Sequence, residues 1–215
     1  MKRTNFYYLL VALLVFLVGF PIIDDFVTGS PPFVKALVFS AILIIGIGSL
    51  KGAGRAFPGG MVFVVAGVIL SVLAAQTGSS AFQFGALVAL MSFLTTAIVH
   101  TMKQVAVGTD MSMNRIVGAI CVYLMLGVIW ALGYSVLELA APGSFSGFET
   151  WTSRGWDSEW LYLSFVTMTT LGYGDLLPVS ATARAMAYLQ AAFGQFYIAI
   201  LVAGLVGAYI ASRDK

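Results

Sequence analysis

Residues 170–175 read Thr-Leu-Gly-Tyr-Gly-Asp, a run whose residue types and spacing are suited to handling an ion. Gly172 and Gly174 alternate with bulkier residues. Having no Cβ, they reach positive φ values that other residues adopt only with strain. The carbonyls of Thr170, Leu171, Gly172 and Tyr173 can then all point the same way, and Thr170 adds a hydroxyl. A ring of such strands, one per subunit, would stack carbonyl oxygens at spacings able to replace the water shell of a dehydrated potassium ion. A plain glycine turn in a membrane loop is the competing reading, and a run of this length in this place speaks against it.

The segment resembles the selectivity filter of potassium channels, usually Thr-Val-Gly-Tyr-Gly-Asp, with Leu171 in place of valine. The resemblance covers most of residues 116–211. It includes Pro142-Gly143-Ser144-Phe145 before the pore, Thr167-Met168-Thr169-Thr170 leading into it, and Pro178 shortly after. It implies a pore-loop channel of the six-span, voltage-gated-like type. Thr170, Leu171, Gly172, Tyr173 and Gly174 would form the filter, with potassium as the permeating ion and no other cofactor. It also implies Gly194 as a gating hinge, the competing role for that glycine being close helix packing. The chain departs from the family behind the filter. Tyr162 and Leu163 stand where many relatives have two tryptophans, and Val166 where some have a glutamate. Tyr162 can still reach Asp175; Leu163 and Val166 cannot hydrogen-bond anything, which puts the stiffness of the filter in question.

The elements that position this loop follow from composition. Of 215 residues, 60% are hydrophobic and 9% charged, which marks an integral membrane protein. The apolar runs are continuous and helix-length, without the alternation of a barrel. Crossing the bilayer core takes about 20 apolar residues. Candidate spans are 6–23, 33–50, 61–75, 81–99, 116–140 and 185–211, with breaks expected at Pro21, Gly29–Pro32, Gly52–Gly60 and Gln76–Ser80. Residues 160–170 are too short to span and must enter and return. The expected fold is all-α, with six transmembrane helices, a re-entrant pore helix and a filter. One loop cannot enclose a pore, so a homotetramer is expected.

If the spans alternate, Lys2, Arg3, Lys51, Arg55, Lys103, Arg115, Arg213 and Lys215 share one side; only Lys35, Arg154 and Arg184 take the other. The excess marks the cytoplasm. Both termini are then cytoplasmic in a multi-pass cell-membrane protein, and the loop opens outward. The first apolar run lacks a small-residue cleavage pattern after Phe20, so a retained span is expected rather than a signal peptide. Residues 1–105 read as a four-helix bundle, 106–115 as a linker and 116–215 as the pore domain, with no cytosolic ligand-binding domain expected.

Within the pore domain, Asp157 or Ser158 can cap a helix starting near Glu159, whose charge suits the positive helix end. For Asp157 and Glu159 a solvated loop is an equal alternative. The Tyr173 ring must point away from the axis, with Thr167 as a possible hydroxyl partner, and Asp175 can hold the filter from behind. Gln195, Ile198 and Val202 share a helical face and are candidate cavity-wall residues. Gly204 and Gly207 read as packing residues.

Other functions fit less well. Gly172-Tyr173-Gly174-Asp175 satisfies the Gly-x-Gly-Asp motif of intramembrane aspartyl proteases, but no second aspartate lies inside a span to complete the pair. His100 and Cys121 are single and far apart, against a metal site or a disulfide. No basic cluster suggests nucleic acid, and no duplicated halves suggest a transporter. A non-selective cation channel would be expected to disrupt the Gly-Tyr-Gly core, which is intact. The chain therefore reads as a channel and not an enzyme, with potassium ions, membrane lipid and its own copies as partners. The fourth span, 81–99, has no lysine or arginine, so opening by voltage through that helix is not expected.

Overall fold

A computed structural model describes residues 6–26, 56–107, 112–147 and 157–213. The elements are helices α1 (Phe6–Phe26), α2 (Ala56–Thr77), α3 (Ser80–Val107) and α4 (Met113–Ala140), strand β1 (Phe145–Ser146), helix α5 (Ser158–Met168), strand β2 (Leu177–Pro178), and helices α6 (Ala181–Phe196) and α7 (Ala203–Arg213). A π-helical segment, Tyr197–Val202, joins α6 to α7 without a break in the rod. The span expected at 33–50, the linker residues Gly108 to Asp110 and the outer loop around Arg154 lie outside the described residues.

Among the described residues, four helical rods are long and apolar enough to cross a membrane: Gly59–Thr77, Ser80–Ala106, Met113–Ala140 and Ala181–Ala211; the apolar part of α1, Phe6–Ile22, is shorter. The 28 residues of α4 extend about 42 Å, more than the ~30 Å hydrocarbon core. With no water between helices, association rests on close packing and interhelical hydrogen bonds rather than on apolar burial. α1 illustrates this. Phe6, Leu9, Leu13, Phe16 and Phe20, spaced alternately three and four apart, are buried, while Tyr8, Val11, Val15 and Val18 face outward.

Three expectations about boundaries are corrected. α1 runs through Pro21: the proline forfeits its own N–H bond and crowds the carbonyl four residues earlier, yet the helix continues to Phe26. α2 starts at Ala56, so Gly59 and Gly60 are helical and not a break; Pro58 falls in the first turn, where N–H groups have no intrahelical partner. α3 continues past Val99 to Val107.

α2 packs along α3, α3 along α4, and α1 along α4 with a lesser contact to α5; α5 is wedged between α4 and α6. Arg115 joins α3 to α4. It is buried, and its guanidinium donates to the Val105 carbonyl (Nε, 2.8 Å) and the Ala106 carbonyl (3.4 Å), satisfying carbonyls that the end of α3 leaves unpaired. The asparagine before it, Asn114, accepts from the Phe6 backbone N–H at 2.9 Å and so anchors the start of α1.

Candidate functional site

α5 is the short helix that carries the loop. Asp157 is its N-cap, with Oδ1 accepting from Ser158 N at 2.8 Å, and Glu159 lies in its first turn. An edge-on aromatic series, Tyr134–Phe145 (5.3 Å) and Phe145–Trp160 (5.2 Å), fixes the start of α5 against α4. Phe165 sits on Gly127 so closely that a Cβ there would meet its ring at 2.5 Å. A side chain at position 127 would push the pore helix off α4.

The helix ends at Thr169, and the chain turns into the segment singled out by its sequence. Gly172 and Gly174 take φ of +60° and +82°, and Thr170 also has φ +60°, alone among the described non-glycine residues. Positive φ thus falls on alternate positions 170, 172 and 174, which is the backbone alternation that turns neighbouring carbonyls to one side. Thr170 in this region stores on the order of 1–3 kcal/mol, tolerable only where the surroundings hold it. They do so through the end of α5. The Val166 carbonyl accepts from Leu171 N (2.9 Å) and Gly172 N (3.3 Å), and the Thr167 carbonyl from Thr170 N (3.0 Å). Residues 169–175 are exposed in the single copy, Leu171 at 55% and Tyr173 at 68%.

Past the filter strand the chain is clamped. The Tyr162 hydroxyl donates to Asp175 Oδ2 at 2.6 Å, and Asp175 Oδ1 accepts from Leu176 N at 3.0 Å. The Tyr162 bond holds the Asp175 carboxyl below the usual carboxylate value and pushes the Tyr162 hydroxyl up to about 12. Tyr173 does not bond Thr167, as had been expected. Its ring lies flat on that of Tyr162, at 6.3 Å and 4°, and the Thr167 side chain lies within reach of the Tyr134 hydroxyl instead.

β1 and β2 pair antiparallel, Phe145 opposite Pro178 and Ser146 opposite Leu177. Next to them Gly147, at φ +97°, runs so close to the filter exit that a Cβ would lie 1.9 Å from the Asp175 carbonyl oxygen. Glu138 is buried at the top of α4, and its carboxylate accepts from Gly143 N (2.5 Å) and Phe145 N (3.1 Å). The Ser144 carbonyl accepts from Val179 N and Ser180 N, joining the loop to the start of α6.

On the inner side, Gly194 is buried where a Cβ would meet the Met168 carbonyl oxygen at 2.7 Å, so it is a site of close packing whatever else it does. Gln195 is exposed, with Nε2 3.5 Å from that same carbonyl, and Ile198 is exposed at 44%. Val202 is half-buried against the core, where Gln195 and Ile198 are exposed; the π-helical residues 197–202 each turn through less than the ideal α-helical angle. At Gly204 and Gly207 a Cβ would meet nothing within 4 Å in the single copy.

Sequence reasoning missed Glu138, Gly147, Ser164 and Gln190. Three are polar residues inside or at the edge of apolar spans, and that rarity is itself a signal.

Residues 122–211 match the model of a family described as an ion channel. A curated protein described as an inward rectifier potassium channel, from Paramagnetospirillum magnetotacticum, is 32% identical over 82 residues. The match covers 36% of this chain and 24% of that protein, so the chain spans about a quarter of that relative's length. No solved structure matches significantly.

Proposed function

We propose, from the match of residues 122–211 to the ion-channel family model, that the chain is a pore-loop channel selective for potassium, conducting passively through a homotetrameric filter built from Thr170, Leu171, Gly172, Tyr173 and Gly174. The observation that carries this reading is the strand itself, with positive φ at alternate residues 170, 172 and 174, suspended from the Val166 and Thr167 carbonyls and uncovered in one copy. Carbonyls turned to one side in each of four subunits replace the hydration shell of an ion, and three more copies cover the exposed Leu171 and Tyr173. The C-terminal end of α5 favours a cation beneath the strand. The related inward rectifier protein supports potassium as the ion.

In this reading Asp175, Tyr162 and Thr167 support the filter, while Gln195 and Ile198 line the cavity below it. Gly194 hinges the inner helix while packed on the pore helix. The subunit has six spans in the cell membrane, with both termini cytoplasmic. α3 carries only Lys103 among lysines and arginines, so no charged helix drives opening.

Vesicles loaded with potassium and diluted into sodium provide the test, with proton uptake as the flux readout. Purified protein should collapse the gradient in potassium-loaded vesicles and leave sodium-loaded ones intact. Equal flux for both ions contradicts the proposal. So does selectivity with unchanged conductance in Gly172→Ala, since alanine at φ +60° must distort the strand.

A further inference from the structure

A side-chain chain of hydrogen bonds runs through the protomer behind the filter, and its direction can be read donor by donor. Ser164 Oγ donates its one proton to the Gly127 carbonyl of α4, at 2.6 Å. It must therefore accept from Gln190 Nε2, at 2.7 Å. The same Nε2 donates to the Ser164 carbonyl at 3.0 Å. The Gln190 amide nitrogen faces Ser164 for that reason, which leaves Oε1 to accept from the Tyr134 hydroxyl. Tyr134, Ser164 and Gln190 are all buried, and Gln190 is 0% exposed. Every polar atom of the Gln190 amide is used, and the bonds join α4, α5 and α6 at one level of the membrane.

The contact lies beside the groups that hold the filter. Ser164 precedes Val166 by two residues, and the Val166 carbonyl carries Leu171 and Gly172. One turn further along both helices, Gly194 sits against Met168. The inner helix thus grips the pore helix at two successive turns, through Gln190 on Ser164 and Gly194 on Met168. The Val166 side chain adds no polar atom to what its carbonyl gives the strand.

Resting on the potassium-channel reading above, we infer that Gln190 is a positioning residue that ties the filter strand to the inner helix and sets the lifetime of its conducting form. The ion still meets only the backbone of 170–174. Gln190 acts through Ser164 and the end of α5, so displacement of α6 reaches the strand directly.

Single-channel recording of Gln190→Met tetramers tests this, methionine keeping the length and losing the polar atoms. Mean open time at low external potassium should fall about tenfold, the scale of the three lost hydrogen bonds each at the low end of its net worth. The potassium-over-sodium permeability ratio should not change. Raising external potassium should restore the open time more strongly than in wild type, because ions that bind the conducting strand stabilise it by mass action. A residue with only a packing role lowers tetramer stability without that potassium dependence, and this result overturns the inference. Wild-type open times in Gln190→Met also overturn it, provided wild type is potassium-selective in the same bilayers; a non-selective wild type instead removes the functional reading beneath it. If Gln190→Met does not assemble, Tyr134→Phe decides. It removes one donor and should shorten open time about twofold with the same potassium dependence, and an unchanged lifetime overturns the proposal.

Discussion

The two ends of the pore module are built on opposite terms. At the outer end, the exit of the filter strand is held from within its own protomer by Tyr162 on Asp175, by Gly147 against the Asp175 carbonyl and by the β1–β2 pair fixed through Glu138. At the inner end, the rod from Tyr197 to Arg213 holds to its protomer at few points. The Tyr197 hydroxyl donates to the Ala119 carbonyl at 2.8 Å, Val202 and Leu205 touch the core, and a Cβ at Gly204 or Gly207 would meet nothing within 4 Å. Selecting one ion by its shell demands fixed geometry, and the outer end provides it locally. In the proposed channel a gate must move, and the inner end carries a π-helical turn whose hydrogen bonding is readily rearranged.

The comparison breaks most sharply at glycine. Gly147→Ala places a Cβ 1.9 Å from a backbone oxygen at φ +97°, so conduction should be lost, whereas Gly204→Ala should assemble and conduct. Recordings of the two variants side by side check this, and equal behaviour would erase the distinction between the ends.

Glu138→Gln is the next largest effect. The carboxylate serves two N–H groups with two oxygens, and an amide has one, so Gly143 N or Phe145 N loses its partner. A buried orphan costs about 1–3 kcal/mol, which should appear as a lower thermal midpoint of the tetramer.

Tyr162→Phe is milder. It should shorten the conducting state and leave selectivity alone, and identical kinetics would remove the bond from the account.

Smallest is the response to pH at the outer face. The lowered Asp175 contributes stability above the ordinary carboxylate value of 3.8 and loses it as pH falls through its depressed value. The raised Tyr162 contributes below its ordinary 10.0 and loses it as pH rises through about 12. Open times should be flat from about pH 5 to about pH 9, and fall below that window as Asp175 protonates and well above it as Tyr162 ionises. A transition near neutrality would assign the brace to another group.

How much of this was legible in the sequence depends on range. The positive φ of Gly172 and Gly174 was, because glycine encodes it locally; so was the Asp157 cap, one residue from the N–H it accepts. The Tyr162–Asp175 contact came from the family resemblance and not from spacing. The Gln190 chain needs three helices brought together, and no local pattern in an apolar run specifies that. Pro21 was over-read: it removes one hydrogen bond and strains the preceding turn, yet α1 continues to Phe26. The π turn spans Tyr-Ile-Ala-Ile-Leu-Val, a run with no mark of its changed helical pitch, so angular positions beyond Tyr197 do not follow from an α-helical count.

The central claim is that a strand held rigid at its outer end selects potassium, and bi-ionic reversal potentials from tetramers in planar bilayers test it most directly. With potassium on one side and sodium on the other, the account predicts a reversal potential set by potassium alone, the same in wild type and Tyr162→Phe. A reversal potential near zero in the intact tetramer would contradict it.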